Sequence, residues 1–195
     1  MEPILHSTSA NAKRQAILDA ALRLFSELGF HGTAVPLVAR EAGVGTGTIY
    51  RYFDSKEALV NALYQHHKIA FTLSVLADFP VDAPIRAQFR ALYQRLFRWA
   101  LQNPDAFYFL ELHHHAPYLD EESRALEERV LGRSVEFYQQ AQTQQALKDV
   151  PPSVLIHTVW GAFVGIMKAS RAGHLELTPQ VMQHVEDCCW EAIRR

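Results

Sequence analysis

Apolar residues recur every three to four positions along most of the chain, which is the period of an amphipathic helix. Ile17, Ala21, Leu24, Phe25 and Leu28 share one face, predicting a first helix from about Asn11 to Leu28. Gly29 follows as a glycine stop just past its end. The pattern then predicts short helices over about Val35–Ala42, ending at Gly43, and Thr46–Phe53. Asp54 or Ser55 caps a fourth helix that runs through Leu59, Leu63 and His66 to about Ala77. Longer helices follow over about Pro84–Gln102, Pro104–His115, Asp120–Leu147, Pro152–Ala172 and Thr178–Arg194. Each break between them holds a proline or a glycine. Convincing period-two runs and Asn-Gly or Asp-Gly hairpins are absent. The expected fold is therefore all-α. Short helices give way to long ones near residue 55, suggesting one domain over 1–54 and a second over 55–195.

The third predicted helix has an unusual outward face. At about 100° per residue, Ile49 and Phe53 point together toward the first helix, with Val44 nearby. Arg51 and Gly47 point the opposite way, while Thr46, Thr48, Tyr50 and Tyr52 lie on the flanks. These are the side chains of a helix that enters a DNA major groove. Arg51 can donate two hydrogen bonds to a guanine, and Gly47 lets the backbone come close to the bases. The threonines can bond bases or phosphates, and the tyrosine hydroxyls can bond phosphate oxygens. Lys56 adds a cation at the start of the next helix. The competing reading is that Tyr50, Arg51 and Tyr52 merely cover an interdomain surface.

The order and spacing of these residues resemble the TetR (tetracycline-repressor) family of transcriptional regulators. The resemblance runs from Ile17 through Leu28-Gly29-Phe30 and Gly32-Thr33. It continues over Val38-Ala39-Arg40-Glu41-Ala42-Gly43-Val44, Gly47-Thr48-Ile49-Tyr50-Arg51-Tyr52-Phe53, Ser55-Lys56-Glu57 and Leu59. It spans roughly the first third of the chain. It implies an all-α protein with an N-terminal three-helix helix-turn-helix domain, followed by a larger helical ligand-binding and dimerisation domain. It implies phosphate contacts from Thr33, Tyr50, Tyr52 and Lys56, and base or nearby contacts from Thr46, Gly47, Thr48 and Arg51. The chain departs from the family's pattern at Gly45, where serine is frequent, and at Ala34, Pro36 and Leu37, where polar residues are usual. Glycine is a tolerable cap and proline a tolerable first-turn residue. Thr33 is the nearest hydroxyl to take over the cap of the second helix.

Residues 56–195 hold no motif of comparable specificity but are rich in aromatic residues. Most fall at helical spacing and belong to a core. Some can line a cavity for an apolar or aromatic effector with few polar anchors. The candidates are Phe71, Phe89, Tyr93, Phe97, Phe107, Tyr108, His113, Phe137 and Tyr138. His113-His114-His115 suggests a metal, yet successive helical side chains diverge by about 100°. Three in a row are a poor chelate without distant help from Glu111, His66 or His157. Arg86 and Arg90, with Arg98 further along, read as a solvated face. The helix over 152–172 is apolar nearly all round, so it needs burial on more than one side. Gly161, Gly165 and Ala169 let another helix approach closely. Gly161 and Gly165, with Trp160, Val164, Val181, Val185, Cys188 and Cys189, form the candidate dimer interface, which the family resemblance places in a four-helix bundle.

Charge and cysteine content narrow the partners. The formal net charge is −2, which argues against a broadly basic nucleic-acid coat. In the first 60 residues Lys13, Arg14, Arg23, Arg40, Arg51 and Lys56 balance Glu2, Asp19, Glu27, Glu41, Asp54 and Glu57. A DNA reader of this composition relies on a few well-placed contacts. Cys188 and Cys189 are adjacent, so no disulfide framework is expected. The most apolar run, Val159–Met167, is about half a membrane span. No signal peptide is expected, and the chain reads as cytoplasmic, with no membrane partner. The reading is a homodimeric transcriptional repressor, released from a palindromic double-stranded operator by a small effector. It needs no catalytic residues, metal or cofactor. The alternatives are a helical-scaffold enzyme or metal-binding protein using His113–His115, and a non-DNA-binding adaptor.

Overall fold

The computed structural model describes residues 4–112 and 116–195. Among these the chain is helical, with one isolated antiparallel bridge between Leu147 and Arg194. The helices are α1 (Ile4–Gly32), α2 (Val35–Glu41), α3 (Thr46–Tyr50), α4 (Lys56–Leu76), α5 (Ile85–Gln102), α6 (Pro104–Leu112), α7 (Glu121–Thr143), α8 (Pro152–Arg171) and α9 (Pro179–Ile193). A short 3-10 turn covers Ala116–Tyr118. They form two compact units, one of residues up to Ala70 with Asn103–Leu126, the other of Phe71–Gln102 with Glu127–Arg195.

In the first unit, Gly29 breaks the path of α1 with φ 68° and ψ −176°. Few residues other than glycine adopt that backbone, so the stop read from the sequence is real, although one more turn follows it. Gly43 closes α2 in the same way, at φ 66°. Ser55, not Asp54, caps α4, its Oγ accepting the Ala58 N–H at 3.1 Å. The cap expected from Thr33 is absent. Ala34 occupies that position without a side-chain bond, because the Thr33 hydroxyl turns back onto α1 instead. Ile17, Phe25, Val38, Ile49, Phe53, Leu59, Val60 and Leu63 share one core with Phe109 and Leu119. That core is why this unit extends beyond residue 54. Asn61 also ties α4 to the segment after α6. Its Nδ2 donates to the Glu57 and Tyr118 carbonyls at 2.9 and 2.8 Å, and its Oδ1 accepts from the Asp120 N–H at 2.9 Å.

In the second unit, α5 presents Phe89, Tyr93, Leu96, Phe97 and Ala100 at helical spacing, all buried. α8 presents Leu155, Val159, Phe163 and Met167, four residues apart each time. Tyr93 and Phe97 meet Phe163 edge-on at 6.0 and 5.0 Å, and Phe89 meets Trp190 of α9 at 5.4 Å. Arg95 closes the end of α4, donating to the carbonyls of Val75, Ala77 and Asp78. Arg86 and Arg90 are not simply a solvated face. Arg86 pairs with Glu186 and Asp187 of α9, and Arg90 lies 3.5 Å from Glu186. α7 also ends earlier than its periodicity predicts. Gln145 adopts φ 57°, and the chain then turns to meet α9, where the Lys148 N–H donates to the Ile193 carbonyl at 2.9 Å.

Candidate nucleic-acid interface

α3 is short, but its two faces differ sharply. Gly45 is its N-cap, and the Thr48 N–H donates to the Gly45 carbonyl at 2.8 Å. Ile49 and Phe53 are buried in the first unit's core. Gly47, Tyr50 and Arg51 are exposed, and Thr46, Thr48 and Tyr52 are half-buried. Helical bonding persists past Tyr50, since the Phe53 N–H still reaches the Ile49 carbonyl at 2.9 Å. This continuation keeps Arg51 and Tyr52 in register with the helix. The outward row Gly47, Tyr50 and Arg51 therefore has nothing of its own unit above it. A Cβ placed on Gly47 would meet nothing within 4 Å. Packing inside the chain does not require a glycine there.

Thr33 does not belong to this surface. It is fully buried, and its hydroxyl lies 2.8 Å from the Gly29 carbonyl and 3.1 Å from that of Leu24. Its proton is engaged within the protein, so the hydroxyl is not offered to a phosphate. Lys56 is half-buried, with its ammonium 4.1 Å from the centre of the Phe30 ring. Burial lowers its pKa below the ordinary lysine value, while Glu57 acts the other way. Phe30 in turn stacks on Tyr118 at 3.7 Å, and the Tyr118 hydroxyl lies 2.7 Å from His31 Nε2. These braces were not predicted, because they join residues distant in sequence. Arg14 was also missed. Its guanidinium sits 5.4 Å from the Phe53 ring, placing a cation beside the end of α3.

The effector candidates divide between the units. Phe107 and Tyr108 are buried in the first unit, edge-on to each other at 5.5 Å. Phe71, Phe89, Tyr93, Phe97, Phe137 and Tyr138 belong to the second. Phe89, Tyr93 and Phe97 interlock along α5, and the Tyr93 hydroxyl meets Cys189 Sγ at 2.9 Å. His113, like the rest of the triple histidine, lies outside the described residues. Among the described residues, no three His, Cys, Asp or Glu side chains come together as a metal site.

The interface candidates on α8 and α9 range from half-buried to exposed, apart from Cys189, and Trp160 also packs on Phe71 and Phe163 of its own chain. Gly161 and Gly165 are exposed, and a Cβ on either would meet nothing within 4 Å. Val164, Trp160, Val181 and Val185 are half-buried, Cys188 is exposed, and Val154 is 51% exposed. Cys189 is a correction. It is buried against Tyr93 of its own chain, since adjacent helical residues point about 100° apart. Burial raises its thiol pKa above the usual value. α8 is long and apolar enough by composition to cross a membrane, yet only 22% of that window is buried within the chain.

Comparison with known proteins gives a consistent result. Residues 17–63 match the family described as "Bacterial regulatory proteins, tetR family", and residues 64–195 match "Tetracyclin repressor-like, C-terminal domain". The chain is similar to an uncharacterized HTH-type transcriptional regulator of Haemophilus influenzae, with 22% identity across 93% of this chain and 95% of that one. It is 43% identical over 82 residues to the HTH-type transcriptional regulator RutR of Escherichia coli, covering 42% of this chain and 38% of RutR. A tetR family transcription regulator from Shewanella sp. PV-4 shares the fold at TM-score 0.79 and 28% identity, over 94% of this chain and 98% of that one. Another from Marinobacter aquaeolei VT8 superposes at TM-score 0.84 and 24% identity, over 96% of this chain and 98% of that one.

Proposed function

Because the chain belongs to the TetR family of DNA-binding transcriptional regulators, we propose that it is a homodimeric repressor whose two α3 helices read half-sites of a palindromic operator in the cytoplasm. The observation that carries this reading is the uncovered row Gly47, Tyr50 and Arg51 on a helix whose opposite face, Ile49 and Phe53, is locked in the core. Arg51 is assigned to a base edge, with Thr46 and Thr48 beside it. Tyr50, Tyr52 and Lys56 are assigned to the phosphate walls. Two half-sites in successive major grooves lie about 34–36 Å apart. The exposed positions Val154, Gly161, Gly165 and Cys188 on α8 and α9 support pairing with a second copy, with the two glycines allowing close approach. A small uncharged effector in the second unit releases the operator by binding more tightly to a conformation in which that spacing is wrong. The functional division remains a DNA-reading domain over 1–54 and an effector and dimerisation domain over 55–195, although their compact units overlap that boundary.

Selection of binding sites from random duplexes, followed by a salt titration, tests the reading. The expected product is a palindromic site, bound with an affinity that falls steeply with salt. Enrichment of no sequence, or a site without two-fold symmetry, would overturn it.

A further inference from the structure

The second unit encloses a polar group that its own fold leaves unsatisfied. Tyr138, on α7, is 4% exposed, and its hydroxyl has no hydrogen-bond partner among the described residues. Other buried polar groups in this unit are engaged. Gln88 donates to the Val81 and Ala83 carbonyls, Glu186 holds Arg86 and Arg90, and Tyr93 meets Cys189. A buried donor left unpaired costs about as much as a lost hydrogen bond, so it calls for a partner.

The surroundings narrow what that partner can be. The Phe137 ring meets Tyr138 edge-on at 5.4 Å and is itself half-buried, offering an apolar wall. Burial pushes both Tyr138 and Tyr93 above the ordinary phenol pKa, so both stay neutral and keep their protons. The Tyr93 hydroxyl meets Cys189 Sγ at 2.9 Å, and burial raises the pKa of that thiol as well, so it too keeps its proton. An anion drawn into such a buried, apolar site would lose its hydration at a large cost. The guanidinium groups of Arg86 and Arg90 are already committed to Glu186 and Asp187.

We propose that the Tyr138 hydroxyl is the polar anchor of an effector site within the second unit, donating to the single oxygen acceptor of an uncharged aromatic molecule. The inference rests on the reading of this chain as an effector-controlled regulator. It predicts an unusual pairing of effects. Tyr138→Phe removes an orphan hydroxyl, so the free protein should be as stable as the native chain or more so. The same change removes the ligand's only hydrogen bond.

The test is calorimetric titration of the full chain without DNA, using three probes of similar size: acetophenone, ethylbenzene and benzoate. Acetophenone is expected to bind the native protein more tightly than benzoate, and about tenfold more weakly after Tyr138→Phe. Ethylbenzene, which lacks an acceptor, should bind both proteins alike. Thermal midpoints of the free proteins are measured alongside. The proposal is overturned by equal acetophenone affinity in both proteins, by undetectable acetophenone binding, by preference for benzoate, or by a lowered midpoint in Tyr138→Phe. Binding of both proteins to a selected duplex separates the two levels. Retained sequence-selective binding with a failed titration removes the ligand site alone, whereas absence of selective binding by the native protein removes the regulator reading.

Discussion

Replacing Gly47 by alanine should raise stability and lower DNA affinity together. Gly47 lies in the first turn of α3, with negative φ and open space where a Cβ would go. Alanine is better than glycine in a helix by about 0.5–1 kcal/mol, and a first-turn position realises the lower part of that range. For a chain of this size each kcal/mol moves the thermal midpoint by roughly 2–4 °C. A rise of about 1–3 °C is therefore expected in a thermal scan. On DNA the methyl group projects from the same row as Arg51. If the backbone of α3 closes on the base edges, the helix must withdraw by about the size of a methyl group. The penalty should resemble that of a mismatched base pair, about 1–3 kcal/mol. Fluorescence anisotropy with a selected duplex at fixed salt should then show a loss of roughly 5- to 150-fold. A raised midpoint with unchanged affinity would refute the close approach, and a lowered midpoint would refute the account of why glycine is tolerated.

Four further outcomes follow from named contacts. Arg51→Ala should relax preference at one base position of each half-site by about 1–3 kcal/mol, whereas Lys56→Ala should weaken all sequences alike and reduce the salt slope by about one per subunit, both read from binding to a substituted duplex series. Thr33→Val should leave DNA affinity unchanged but lower the denaturation midpoint, because the Gly29 and Leu24 carbonyls lose their shared donor; the expected cost is about 1–3 kcal/mol. Burial, with His66 adding to it and Asp19 opposing, lowers the His67 pKa to about 4, so between pH 6.5 and 4 the unfolded chain binds a proton that the folded chain refuses. Stability should fall as pH drops through that window, and His67→Gln should make the fall shallower in urea titrations. Gly161→Leu with Gly165→Leu should separate the subunits in sedimentation measurements, since side chains there fit the free chain but not a closely packed copy.

Helix ends were legible where the chain marks them locally. Gly29 and Gly43 adopt positive φ as their positions suggested, and Gly173 does so after α8. The inward and outward faces of α3 followed from periodicity alone, because Ile49 and Phe53 are its only large apolar residues. The burial of Thr33 was not legible, because its hydroxyl bonds the Leu24 and Gly29 carbonyls near the end of α1, contacts that no motif spacing reveals. The end of α7 was misread because Gln145 in a left-handed conformation has no local signature; its reason is the pairing of 147–148 with the end of α9, almost fifty residues later. The first unit's boundary was hidden for the same kind of reason. Phe109 and Leu119 join a core otherwise built from the first 64 residues. The split between Cys188 and Cys189 depends on Tyr93, which no cysteine spacing reveals.

Methylation interference addresses the central claim most directly. A selected duplex is methylated at guanine N7, which lies in the major groove, and bound and free fractions are compared. The account predicts that methylation of a guanine in each half-site blocks the native protein, and that Arg51→Ala loses this sensitivity. Binding indifferent to N7 methylation throughout the site would contradict a recognition surface built on α3.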